Sequence, residues 1–249
     1  MSLLRVESVS KQFGSLNAVS DVSMNVEAGE LRALIGPNGA GKTTFFNMIS
    51  GFLMPDVGRI IFDGEDITAL PPAQRARRGV ARTFQITKIF PELSVRENLR
   101  IAVEVATGLR LKPWLTHHDG QKVTFTVTNL LEQSGLAQKA HRLAGELAHG
   151  DQRTTEIMMA LALRPRLLLL DEPTAGMGDK ETVEMTNLIR GLRKNEGLAI
   201  ILVEHDMRVV FGLADRIMVL AEGAMLAEGT PHEIAANEAV QAAYLGSAA

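Results

Sequence analysis

The chain has 249 residues, 46% of them hydrophobic and 22% charged, with a formal net charge of −3 and no cysteine. That is length for one large domain or two small ones around a buried core, in proportions ordinary for a globular protein. It excludes a disulfide framework and a cysteine metal site, and the near-neutral charge argues against wholesale binding to nucleic acid or an anionic membrane.

The opening Ser2-Leu3-Leu4-Arg5 has no basic region followed by a long apolar stretch, so no signal peptide is expected. Apolar runs such as 198–203 fall far short of the ~18 residues of a membrane span, so work at a membrane needs other subunits to cross it.

Taken in order, residues 3–35 read as short strands. Val19 to Val26 mixes apolar and polar residues at near period two, and Ala28-Gly29-Glu30 turns it into the buried strand 31–35. Next comes Gly36-Pro37-Asn38-Gly39-Ala40-Gly41-Lys42-Thr43, which fits G-x-x-x-x-G-K-[ST] without mismatch. The apolar stretch from Thr43 to Ile49 reads as a helix leaving the loop. Pro55-Asp56-Val57-Gly58 is a turn, Asp63-Gly64 a hairpin signal, and Pro71-Pro72 a break before the basic run Arg75, Arg77, Arg78, Arg82 and Lys88.

From about 89 to 150 the pattern turns helical. Ser94 and Glu97 form a capping box ahead of Val95, Leu99, Ala102, Val103 and Ala106 on one face. Residues 107–121 read as a loop. Residues 122–135 admit a strand or a helix, and Val123, Val127, Leu130 and Leu131 before Gly135 favour the helix. A helix over about 151–163, a buried strand at 167–170, a helix over about 180–194 and a second buried strand at 198–203 follow. A hairpin over 216–227 turns at Glu222-Gly223, and Thr230-Pro231-His232-Glu233 starts a C-terminal helix. Strands alternating with helices, interrupted by one helical block, imply an α/β fold with a parallel sheet and a helical insertion.

The chemistry concentrates at strand ends. Glycines let the loop backbone converge its N–H groups on a phosphate, Lys42 reaches the β/γ-phosphates, and the Thr43 hydroxyl is a Mg²⁺ ligand. The dipole of the following helix favours the same anion. The strand 167–170 closes in Asp171 and Glu172, where open α/β sheets bind ligands. Asp171 suits Mg²⁺, and Glu172 suits a base that polarises attacking water. The strand 198–203 closes in Glu204-His205-Asp206, where a neutral imidazole can bridge γ-phosphate and water, or simply rest on the surface. Gln85, in Arg82-Thr83-Phe84-Gln85, offers an amide to Mg²⁺ or to the water. His117-His118-Asp119 in the loop fits a solvated stretch better than a metal site, and the basic cluster 75–100 is expected mostly in solvent.

Together these pieces resemble the ATP-binding cassette of ABC transporters over essentially the whole chain. The resemblance implies a P-loop (RecA-like) parallel-sheet core with an antiparallel β subdomain and an inserted helical subdomain. Core and β subdomain would be 1–88 and 159–249, and the helical subdomain about 89–158. It makes 36–43, with Thr44, the Walker A loop, Asp171 the Walker B carboxylate, Glu172 the catalytic carboxylate, Gln85 the Q-loop and His205 the switch histidine. Phe13 stands where an aromatic stacks on adenine, the other reading being plain core. Leu147-Ala148-His149-Gly150-Asp151-Gln152 stands where the family carries LSGGQ.

Ala148 lacks the usual serine hydroxyl, and Asp151 puts a carboxylate near an anion unless it points away. The D-loop aspartate position falls on Gly178, with Asp179 next door. Arg82-Thr83-Phe84-Gln85, Glu204-His205-Asp206-Met207, Gly229-Thr230-Pro231 and Ala243-Tyr244-Leu245-Gly246 are similar to the branched-chain amino acid type.

What the resemblance implies is an ATPase using ATP and Mg²⁺ and peripheral on the cytoplasmic face of a membrane. It would pair head to tail with a second cassette, on a membrane permease served indirectly by a solute-binding protein, with no nucleic-acid partner. Alternatives are a cassette for another solute (urea, other amino acids, lipid) and a soluble, non-transport cassette.

Overall fold

Each all-apolar strand read from the sequence forms, and the layering explains why none has a polar face. The computed structural model describes residues 2–83, 88–109 and 116–245. Its strands are β1 (Leu4–Phe13), β2 (Leu16–Val26), β3 (Leu31–Ile35), β4 (Val57–Phe62), β5 (Glu65–Asp66), β6 (Val80–Arg82), β7 (Leu167–Asp171), β8 (Ala199–Val203), β9 (Arg216–Ala221) and β10 (Ala224–Gly229). One sheet is antiparallel, in the order β2-β1-β4-β5; the other runs β10-β9-β3-β8-β7-β6 and is parallel apart from its edge strand β10. Leu168, Leu170, Ile200 and Leu202 enter one core cluster, while Leu167, Leu169, Ile201 and Val203 enter another on the opposite face. Period-two geometry sends alternate residues to opposite faces, so a strand covered on both sides has no polar positions.

Helix α1 (Lys42–Ser50) lies on the face shared with the antiparallel sheet, through Phe45, Phe46, Met48 and Ile49. A short α2 (Pro72–Arg77) precedes β6. The helical block holds α3 (Val95–Ala106) and α4 (His117–Gln133), followed by α5 (His149–Leu161) between that block and the sheet. Helices α6 (Asp179–Glu196) and α7 (Met207–Leu213) complete that face, and α8 (Pro231–Ala235) and α9 (Glu238–Leu245) end the described chain.

Two expectations shift and one holds. The loop expected over 107–121 ends at Thr116, whose side chain and Asp119 form a capping box that starts α4. The Asp119 carboxylate therefore caps a helix, and the intrahelical bonds beyond it offset the poor propensity of Gly120. The helix favoured over the strand for 122–135 is the rest of α4, with Val123, Val127, Leu130 and Leu131 buried. The C-terminal helix is two helices, since α8 stops at Ala235 and α9 resumes at Glu238.

The basic run departs most. Arg75 is fully buried, and its guanidinium donates to the carbonyls of Met48, Ile49, Thr68 and Leu70 at 2.6–2.8 Å. Those of Met48 and Ile49 belong to the last turn of α1, where carbonyls lack i+4 partners and Met48 accepts only a longer bond from the Gly51 amide at 3.2 Å. Burial draws the Arg75 pKa down to about 10, which still leaves a cation at neutral pH. Arg75→Met keeps the volume and strips four acceptors of their donor, so it should lower the unfolding free energy by about 3 kcal/mol, read from urea denaturation.

Candidate active site

β3 delivers the chain into the loop at the carboxyl edge of the parallel sheet. Gly36 has φ 151° and a Cβ there would lie 2.1 Å from the Leu220 carbonyl oxygen; Gly41, at φ 94°, would meet that of Ala18 at 2.3 Å. Only glycine fits at either point. Gly41 is also the N-cap residue of α1 and supplies no side-chain cap, which leaves the first N–H groups of the helix open to an anion.

Lys42 is buried, and its ammonium donates to the carbonyls of Gly36 (2.7 Å) and Pro37 (2.9 Å). Burial pulls its pKa down and the charge of Glu172 pushes back. The loop thus holds its own cation in place before any phosphate arrives.

A cavity of about 580 Å³ gathers Phe13, Asn38, Gly39, Ala40, Gly41, Lys42, Thr43 and Thr44 with Glu172 and His205. Gly36 lies behind it, against Leu220. Phe13 is 49% exposed on the β1–β2 turn, which removes the plain-core reading. The Lys11 ammonium sits 5.8 Å from its ring centre, anchored to Asp56 at 2.6 Å.

The imidazole Nε2 of His205 and Oε1 of Glu172 are 2.8 Å apart. Glu172 has φ 47°, a strained backbone for a residue with a side chain, and its N–H donates to the Val203 carbonyl at 2.9 Å. Beside it the buried Glu204 accepts bonds from the Thr174 amide (2.9 Å), the Thr174 hydroxyl (2.5 Å) and the His205 amide (3.0 Å). One carboxylate thereby ties the loop after Glu172 to the loop bearing His205.

Asp171 is buried at the end of β7, with Oδ2 3.0 Å from Nη2 of Arg82. Desolvation raises its pKa, and Arg82 opposes the rise. Arg82 is no solvated member of a basic run. It also bonds Asn47 (2.6 Å) and Ser50 (2.8 Å) of α1, and its guanidinium carbon lies 4.8 Å from the Phe46 ring centre. Gln85 lies outside the described residues.

The segment 147–152 does not line this cavity. Ala148, Gly150 and Asp151 face a separate one of about 620 Å³. Asp151 turns to Lys139 at 2.5 Å, so its charge is compensated within the chain. Gln152 donates to the Leu147 carbonyl at 2.9 Å, and His149 is exposed in the first turn of α5, which has no side-chain cap. The Gly178 amide donates to Glu181, and Asp179 pairs with Arg208 at 3.2 Å.

The sequence names Arg82 and Glu204 only as members of short motifs and gives Arg153 no role. A charge closing an apolar strand fits an exposed terminus equally well, and an arginine in the second turn of a helix reads as surface.

A family model described as "ABC transporter" matches residues 19–175, and one described as "Branched-chain amino acid ATP-binding cassette transporter" matches residues 224–249. The chain belongs to the ABC transporter family. Within it the chain is an ATP-hydrolysing cassette. It is 44% identical to the high-affinity branched-chain amino acid transport ATP-binding protein LivG of Salmonella typhimurium, over 99% of this chain and 98% of that one. It is 42% identical, with the same coverage, to the corresponding protein BraF of Pseudomonas aeruginosa. Among solved structures, the ADP conformation of the ABC transporter cassette MJ1267 superposes with a TM-score of 0.86 at 31% identity over 99% of each chain.

Lys42→Met exchanges a desolvated ammonium for an apolar group. The nucleotide-free variant should melt close to the parent, whereas ATP should raise the parent's melting temperature and leave the variant's unchanged. Thermal denaturation with and without ATP reads both.

Proposed function

We propose that this cassette powers the uptake of branched-chain amino acids through separate membrane subunits, as one of two cassettes paired head to tail. The observation that carries the solute class is the match of residues 224–249 to the branched-chain cassette model, together with relatives of that named function along the full chain. Among the described residues no helix is long and apolar enough to cross a membrane, which agrees with a permease made of other chains.

The layout of the site supports pairing. One face holds the phosphate loop, Glu172 and His205, while 147–152 lines a different cavity of the same chain. In a head-to-tail pair, Leu147–Gln152 of one cassette covers the triphosphate held by the other, and the open N-terminus of α5 meets the γ-phosphate.

The donor set fits Mg²⁺. Asp171 and Thr43, with Gln85 beyond the described residues, are hard oxygen ligands, and Asp171 is a carboxylate kept in a desolvated place. When bound, the ion supplies charge to the phosphate oxygens. Phe13 stacks on the base, Lys42 exchanges its loop carbonyls for phosphate oxygens, and the N–H groups of 38–44 hold the β-phosphate. Glu172 takes a proton from the attacking water, and His205 fixes the orientation of that carboxylate and meets the γ-phosphate.

Glu172→Gln should lower ATP turnover by roughly 10²–10⁴-fold, the usual scale for loss of a general base, while ATP binding persists. Steady-state phosphate release against nucleotide affinity separates the two. The transport reading is tested by purifying the tagged chain from its native membranes with its partners and reconstituting the complex. ATPase stimulated by binding protein loaded with leucine, isoleucine or valine supports it. A complex indifferent to those solutes, or a chain that recovers no membrane subunit, overturns it.

A further inference from the structure

Arg153 lies in the second turn of α5, four residues beyond His149, and is 2% exposed. Among the described residues its guanidinium reaches two groups of different kinds. Nη1 pairs with the Glu156 carboxylate at 2.7 Å, and Nη2 donates to the backbone carbonyl of Asp171. The other oxygen of Glu156 accepts the amide of Lys88 at 3.3 Å, three residues after Gln85. A buried ion pair adds little net stability, because desolvating both charges offsets their attraction. What this pair does add is geometry. It bolts the helix whose first turn is His149–Gln152 to the end of β7 and to Lys88, beyond the Gln85 segment.

The carbonyl that Arg153 holds belongs to the peptide unit joining Asp171 to Glu172. The N–H of that same unit donates to Val203, and rotation about the next bond is the φ of 47° at Glu172. One peptide plane is therefore clamped from both sides, by β8 and by α5. Moving α5 moves the plane that aims the catalytic carboxylate.

We infer that Arg153, braced by Glu156, is a positioning residue that makes the aim of Glu172 in a chain's own site depend on where its α5 sits, and so on whether its 147–152 segment is seated on the second cassette. The inference rests on the paired-cassette reading above. It gives cooperativity between two nucleotide sites a physical link inside each chain, through residues that do not line the phosphate-loop cavity.

Two variants test it on the intact complex. Arg153→Lys keeps the charge and loses the fork; Arg153→Met with Glu156→Met removes both charges at similar volume, an exchange that buried pairs tolerate. For each, the melting temperature, nucleotide affinity, kcat and Hill coefficient are measured. The expected result is parental melting and nucleotide affinity within twofold, with kcat down about tenfold and the Hill coefficient falling toward one. Parental kcat and cooperativity in both variants overturns the inference, as does a fall in kcat matched by an equal loss of nucleotide affinity. Failure of the pairing reading appears elsewhere, as a parent protein that hydrolyses ATP without cooperativity. Failure of the inference appears in the variants against a cooperative parent.

Discussion

Two arginines meet at Asp171, the part-buried Arg82 on its carboxylate and the buried Arg153 on its carbonyl. Everything chemical in the molecule hangs from that point. Arg82 joins the end of β7 to α1 and so to the phosphate loop, through Asn47 and Ser50. Arg153 joins it to α5. The guanidinium suits the task because its planar fork makes several directed bonds at once and stays charged when desolvated. Charges buried this deeply are poor sources of stability, and their effect is to fix positions.

The surrounding site is a set of groups held away from their unconstrained state. Lys42 is desolvated and turned onto its own loop, Asp171 is a carboxylate whose charge burial disfavours, and Glu172 has a backbone that ordinary residues avoid. Each tension relaxes toward the same event. In the proposed function a phosphate would give Lys42 better acceptors, a divalent cation would favour the ionised Asp171, and Glu172 would gain a water to orient. Pre-arranged charge of this kind does not have to reorganise during the reaction.

How much was readable in advance depends on how local the causes are. The phosphate loop is legible because its glycines, lysine and threonine act within eight residues, and the strand ends at Asp171 and His205 because all-apolar runs closing in charge are uncommon. Arg75 and Arg82 read as part of a solvated basic run because, apart from the nearby Leu70 and Thr68 carbonyls, the groups that receive them lie 26 to 89 residues away in sequence. The start of α4 was missed for a different reason. Its Thr116–Asp119 box was present, but the proline and glycine nearby carried the opposite signal. Asp151 was puzzling only while Lys139, one helical block away, was out of view.

The order of the parallel sheet has a consequence for how the chain emerges from a ribosome. β3, the strand that aims the phosphate loop, has β8 on one side and β9 on the other. Both neighbours are written after residue 198, although β3 ends at Ile35. During synthesis the antiparallel sheet of β1, β2, β4 and β5 can assemble early, since its strands lie within the first 66 residues. The nucleotide site has to wait for β9 at Ala221, because a strand pairing only with later strands has no ladder to join. A nascent chain thus lacks both ladders of β3 until Ala221 has been made, and in the meantime β3 offers two unpaired edges.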